Sequence, residues 1–82
     1  MKTINKKIVG LLRKKGLKLS VAESCTGGML SSAITSVNGS SKVFKLGLVT
    51  YSNNSKNHLL RVPKQIIRRY GAVSIQCCFS MV

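Results

Sequence analysis

The run Ala22-Glu23-Ser24-Cys25-Thr26-Gly27-Gly28 gathers most of the chemistry in this chain. It holds the only acidic residue, a hydroxyl able to attack a carbonyl, a thiol, and two glycines that let a backbone approach a ligand. An apolar run precedes it and a helical pattern follows it. Ser24, Cys25 and Thr26 therefore fall at a helix entrance, where free N–H groups favour anions and developing negative charge. A second segment, Thr50-Tyr51-Ser52-Asn53-Asn54-Ser55-Lys56, offers a phenol and a lysine. A lysine desolvated beside Ser24 could take its proton, and Tyr51 could relay a proton or donate to an oxyanion. The plainer alternatives are a capping turn for the first segment and a surface lysine with a half-buried tyrosine for the second. Cys25 is a rival nucleophile at the same entrance, with packing under the loop as its plainer role. His58, beside Leu59-Leu60, reads as structural or solvated rather than as the base.

These residues need a scaffold, and the pattern supplies one. Ile4, Ile8, Leu11 and Leu12 fall at helical spacing among lysines and Arg13. Thr3 is a candidate N-cap, and Gly16 follows a basic last turn as a C-terminal stop. Leu17–Ala22 alternates and suits a strand. Gly27–Val37 reads as a helix with Met29, Leu30, Ala33, Ile34 and Val37 on its inner face, and Asn38–Ser41 as a loop. Leu46–Tyr51 is the second strand, in which Gly47 signals close packing or a nearby ligand. Ser52 can cap a helix over Asn53–Leu60. Pro63 suits the first position of another, with Ile66, Ile67 and Tyr70 inward, and Gly71 ends it. Ser74 can cap a last helix over Ile75–Val82. Strands alternating with helices give an α/β class. If the strands are neighbours, Ser24 and Tyr51 leave the same sheet edge, where α/β proteins hold ligands.

At 82 residues the chain is one small domain, and its 44% hydrophobic content is globular rather than disordered. Two strands are too few for a sheet covered on both faces. More strands come from a partner, whether a second copy or a missing second half. Fourteen lysines and arginines against one glutamate give a net charge of +13, which attracts polyanions. The cations are dispersed and the aromatics few, so solvated helix faces explain them more simply than nucleic-acid binding. No apolar run is long enough to span a bilayer, and the basic start lacks a signal-peptide centre, so a cytoplasmic protein is expected. Cys25, Cys77 and Cys78 have no metal-ligand spacing; reduced thiols, no metal and no cofactor are expected.

Four motifs in order resemble the C-terminal domain of the CinA competence/damage-inducible family. They are Ala22–Gly28; Gly39-Ser40-Ser41; Val49-Thr50-Tyr51-Ser52-Asn53 with Lys56; and Tyr70-Gly71-Ala72-Val73-Ser74. The resemblance implies a three-layer α/β/α fold and a nicotinamide-nucleotide amidohydrolase, which converts nicotinamide mononucleotide to nicotinate mononucleotide and ammonia. It implies Ser24 as nucleophile and Lys56 and Tyr51 as its activating and proton-transfer partners. Cys25 and the Thr26-Gly27-Gly28 backbone would hold substrate or oxyanion. It also implies that residues 1–82 form a single domain truncated to the N-terminal half of the family domain. The second half would bring further strands and a glycine-rich substrate segment. The motif match ends after Ser74, as in a shortened gene product.

Overall fold

A computed structural model describes residues 2–82. Helix α1 spans Lys2–Lys15, strand β1 Leu19–Glu23 and helix α2 Met29–Thr35. A short 3-10 turn at Ser40–Lys42 leads into β2, Phe44–Val49. Helices α3 (Asn53–Leu60), α4 (Lys64–Tyr70) and α5 (Ile75–Met81) complete the chain. The order is the one expected from the sequence, and it defines an α/β fold. Among the described residues, no helix is long and apolar enough to cross a membrane.

The two strands lie side by side and parallel, with Val21 opposite Gly47 and Glu23 opposite Val49. An irregularity between Leu19 and Ser20 shifts the register by one residue. On one face, Val9 of α1, Ile34 of α2 and Val43 form the buried core, flanked by Leu12, Leu19, Val37 and Phe44. On the other, Ala22, Leu46 and Leu48 look across a cleft of about 360 Å³ toward Leu60 and the α5 residues Cys78 and Met81. A helical layer thus lies on each side of the strand pair, more loosely on the second. The radius of gyration is 14.4 Å, against about 12 Å for a compact chain of this length.

Local chemistry explains most element ends. Gly16, at φ 67°, closes α1: its N–H donates to the Arg13 carbonyl and that of Leu17 to Leu12, a two-bond glycine stop. This draws Leu17 into the turn, so β1 starts at Leu19. The Ser52 and Ser74 hydroxyls cap α3 and α5, accepting from Ser55 N and Cys77 N at 3.0 and 3.1 Å. Gly47 proves to serve close packing. A Cβ there would lie 2.6 Å from Ser31 Oγ, so its absence lets α2 settle onto β2.

Several expectations need correction. Thr3 lies inside α1 rather than capping it. The inward residues of α1 are Val9 and Leu12, while Ile4, Ile8 and Leu11 form an adjacent stripe that is exposed. Helix α2 starts two residues late because Gly27 and Gly28, both at positive φ, belong to the turn. Met29 is consequently 74% exposed rather than core. Pro63 precedes α4 instead of starting it, and Tyr70 lies exposed with the Arg69 guanidinium 5.4 Å from its ring centre. Strand β2 ends at Val49, since Thr50 is turned inward and fully buried.

Candidate functional site

Glu23 organises the first segment. It is buried, and its carboxylate collects four hydrogen bonds. Thr26 Oγ1 and Leu30 N donate to Oε1, each at 2.8 Å. Ser31 donates to Oε2 through N at 3.0 Å and Oγ at 2.6 Å. The Ser31 hydroxyl is the largest influence pulling the carboxyl from 4.5 down to about 2. Burial pushes the other way, and the amides of Ser31 and Leu30 and the Thr26 hydroxyl add to the lowering. A permanent carboxylate therefore holds the first turn of α2 onto the end of β1.

This changes the anion-binding geometry expected from the sequence. The helix-entrance amides of Leu30 and Ser31 are not free; Glu23 occupies them. Gly27 N is also engaged, donating to the Ser24 carbonyl at 3.0 Å. The Thr26 hydroxyl turns to Glu23. Among the described residues, the turn amides left without a partner are those of Cys25, Thr26 and Gly28. They belong to the loop carrying Ser24. Any oxyanion stabilisation must come from that loop rather than from the helix end. Gly28, at φ 101°, sits over Val49, whose Cγ2 lies 3.6 Å from the position a Cβ would take.

The second segment meets the first at the sheet edge. Thr50 N donates to the Glu23 carbonyl at 2.7 Å, and Thr50 Oγ1 approaches the same oxygen at 3.3 Å. The residues following Glu23 and Thr50, which are Ser24 and Tyr51, therefore leave adjacent strands at one edge. Helix α3 then brings Lys56 back. Lys56 is 1% exposed, and its Nζ donates to the Tyr51 carbonyl at 3.0 Å. Ser24 is half-buried and Cys25 exposed.

The arrangement brings the Ser24 turn and the Tyr51–Lys56 segment together but does not join their side chains. Among the described residues, no hydrogen bond links Ser24 Oγ to Lys56 Nζ or to the Tyr51 hydroxyl. Tyr51 is 72% exposed, not half-buried. His58 is exposed on α3, away from any hydrogen-bond role. At this edge Ser31 escaped the sequence reading, and Thr50 was named in its segment without the role it has here. The signal for Ser31 was the lone acid itself: a glutamate among fourteen cations and preceding a helix requires donors, and nearby hydroxyls supply them.

Parallel strands with helices on both sides and a serine turn at their C-terminal edge define an α/β protein. The family model of the CinA C-terminal domain matches residues 1–82, past Ser74 where the motifs end. The chain belongs to the CinA C-terminal domain family. It is 53% identical over 74 residues to a CinA-like protein of Dictyoglomus thermophilum, covering 90% of this chain and 18% of that protein. A CinA-like protein of Geotalea daltonii is 49% identical over 79 residues, 96% of this chain and 19% of the relative. The crystal structure of competence/damage inducible protein CihA from Agrobacterium tumefaciens superposes with a TM-score of 0.95 at 39% identity. That match covers 98% of this chain and 48% of the other. A CinA superfamily protein from Escherichia coli gives 0.93 at 34% identity, covering 98% and 46%. The chain thus spans about half of the solved structures it matches and under a fifth of these curated relatives.

Proposed function

We infer that this chain carries the nucleophile-bearing half of a serine-dependent amidohydrolase site acting on the carboxamide of nicotinamide mononucleotide. One observation carries the reading. The Ser24 turn and the Tyr51–Lys56 segment leave neighbouring parallel strands at one edge, tied there by Thr50 bonding to the Glu23 carbonyl. In this reading Ser24 Oγ attacks the carboxamide carbon and passes its proton toward Lys56. The unpartnered amides of Cys25, Thr26 and Gly28 hold the oxygen as it gains charge. The C–N bond breaks, Tyr51 assists protonation of the departing nitrogen, and ammonia leaves. Water then attacks the acyl-serine, giving nicotinate mononucleotide and free Ser24. Substrate contacts come from the Cys25–Gly28 backbone and from the rest of the family domain.

The test is ammonia release from nicotinamide mononucleotide by folded 82-residue protein, with Ser24→Ala as control. Release that disappears in Ser24→Ala supports the reading, because that change removes the nucleophile and leaves the Glu23 bonds intact. No release above the control from protein with a native circular dichroism spectrum removes it for this chain.

A second reading rests on charge. The single carboxylate side chain bonds only to hydroxyls and amides, so among the described residues it pairs with no lysine or arginine and a net charge of +13 remains. A nucleic-acid partner predicts binding to mixed-sequence DNA that weakens steeply with salt. Binding that is absent, or indifferent to salt, counts against it.

A further inference from the structure

A second cleft lies at the opposite end of the sheet from Ser24. Helix α2 carries the chain away from the Ser24 turn, and residues 36–39 then lead back toward the start of β2. Between that loop and α1 is a cleft of about 550 Å³, within the roughly 300–1,000 Å³ range of small-molecule sites. Its floor is apolar, with Val37 partly exposed at the surface beside the buried Val9.

Its rim is rich in donors. Lys6 and Arg13 stand seven residues apart on one face of α1. Asn5 and Asn38 add side-chain amides. None of these four side chains has a hydrogen-bond partner among the described residues, in contrast to the engaged side chains around Glu23. The Arg13 guanidinium lies across Gly39, with Nη1 3.0 Å from where a Cβ would stand. Gly39, at φ 84°, leaves room for it.

The end of α2 does not turn the rim into an acceptor surface. The Ala33 carbonyl accepts from Ser36 Oγ at 2.8 Å, and the Ile34 carbonyl from Val37 N. The Thr35 carbonyl accepts from Ser40 Oγ at 3.2 Å. With those oxygens occupied, cationic and amide donors dominate the opening.

Gly10 points to the same use. A glycine inside a helix loosens it relative to alanine. Here nothing lies within 4 Å of a built Cβ, so no packing contact requires it. Its missing side chain instead keeps the cleft open along α1.

We propose that this cleft binds a small organic phosphate, its phosphate on Lys6 and Arg13 and its apolar body over Val9 and Val37. The guanidinium fork suits phosphate oxygens and the lysine adds a point charge. The site is separate from the Ser24 edge, so it stands or falls independently of the amidohydrolase reading.

The experiment is a two-dimensional amide NMR titration of the full chain with adenosine 5′-monophosphate, using adenosine as the phosphate-free control. Saturable shifts confined to residues 5–13 and 36–39, absent with adenosine, are expected. Gly10→Leu should fill the cleft while favouring the helix, and Arg13→Gln should remove the fork. Each should weaken binding by about tenfold or more with an unchanged circular dichroism spectrum. Shifts scattered over all basic surfaces, or binding that survives Gly10→Leu, would overturn the proposal. A short DNA duplex that shifts α1 and α4 alike, while the mononucleotide shifts nothing, overturns it in favour of nucleic-acid binding.

Discussion

The close approach of α2 to β2 makes Gly47→Ala the most informative single change. The new methyl would stand 2.6 Å from Ser31 Oγ, 3.0 Å from Phe44 Cζ and 3.4 Å from Ser31 Cβ. Ordinary contact begins near 3.4 Å, so the hydroxyl must retreat by about 0.8 Å. It cannot do so freely, because it donates to Glu23 Oε2 at 2.6 Å. Overpacking of this kind costs about 1–3 kcal/mol. Alanine recovers roughly 0.4–1 kcal/mol by restricting the unfolded chain. A net loss of about 1–2 kcal/mol remains, which lowers the melting temperature by about 5–15 °C in a chain of this size. Thermal unfolding followed by circular dichroism reads this directly. In a Ser31→Ala background the obstructing oxygen is gone, and the 3.0 Å contact with Phe44 Cζ and the 3.4 Å contact with the residue 31 Cβ are left. There Gly47→Ala should cost about 1 kcal/mol less than in the parent, the remaining cost coming from the Phe44 ring. Equal costs in both backgrounds, or a Gly47→Ala protein as stable as the parent, would refute the account of α2 docking.

Three further outcomes follow from the same geometry. Glu23 titrates near 2 when folded and near 4.5 when free, so the folded state binds fewer protons between those values. Stability is then fully present above about pH 4.5 and falls as pH drops toward 2. Urea midpoints measured across that range should fall for the parent and lose most of that dependence in Glu23→Gln. Arg61 ends α3 at φ 58°, the one non-glycine residue with positive φ among the described residues. Arg61→Gly should relieve that strain and stabilise the chain by about 0.5 kcal/mol after the glycine entropy cost, read as a higher urea midpoint. Lys56 buries a long side chain whose amino group has one hydrogen-bond partner. Lys56→Met keeps the stem volume and removes the buried polar end. It should melt at or above the parent temperature, by up to about 1 kcal/mol of added stability, while abolishing any Ser24-dependent ammonia release.

The sequence was most legible where a local cause acts alone. Gly16, Ser52 and Ser74 each set an element end through their own backbone freedom or hydroxyl, and each does so in the structure. Strand–helix alternation gave the α/β class, whereas the adjacency of β1 and β2, only a condition in the sequence reading, and their parallel direction come from the structure. What could not be read was rotational phase. The apolar residues of α1 form two overlapping stripes, and periodicity alone does not say that Val9 and Leu12 face inward while Ile4, Ile8 and Leu11 do not. Tertiary contacts with Ile34 and Val43 decide it. The α2 start was misread for a related reason. Gly27 and Gly28 fit a helical count, but their positive φ values put them in the turn.

For the candidate site, the sequence offered candidate residues and not the bonds that place them. Ser24, Tyr51 and Lys56 were identifiable as chemically able groups converging on one edge, yet the bonds that bring them there are made by other residues. Glu23 carries the link in both directions. Its carboxylate fixes α2 through Thr26, Leu30 and Ser31, and its carbonyl receives Thr50 from the neighbouring strand. The same group occupies the helix-entrance amides of Leu30 and Ser31, while those of Cys25, Thr26 and Gly28 have no partner among the described residues. Replacing Glu23 should therefore damage the Ser24 loop without touching Ser24. A chain with one acidic side chain has placed it where both strands, one helix and the proposed nucleophile depend on it.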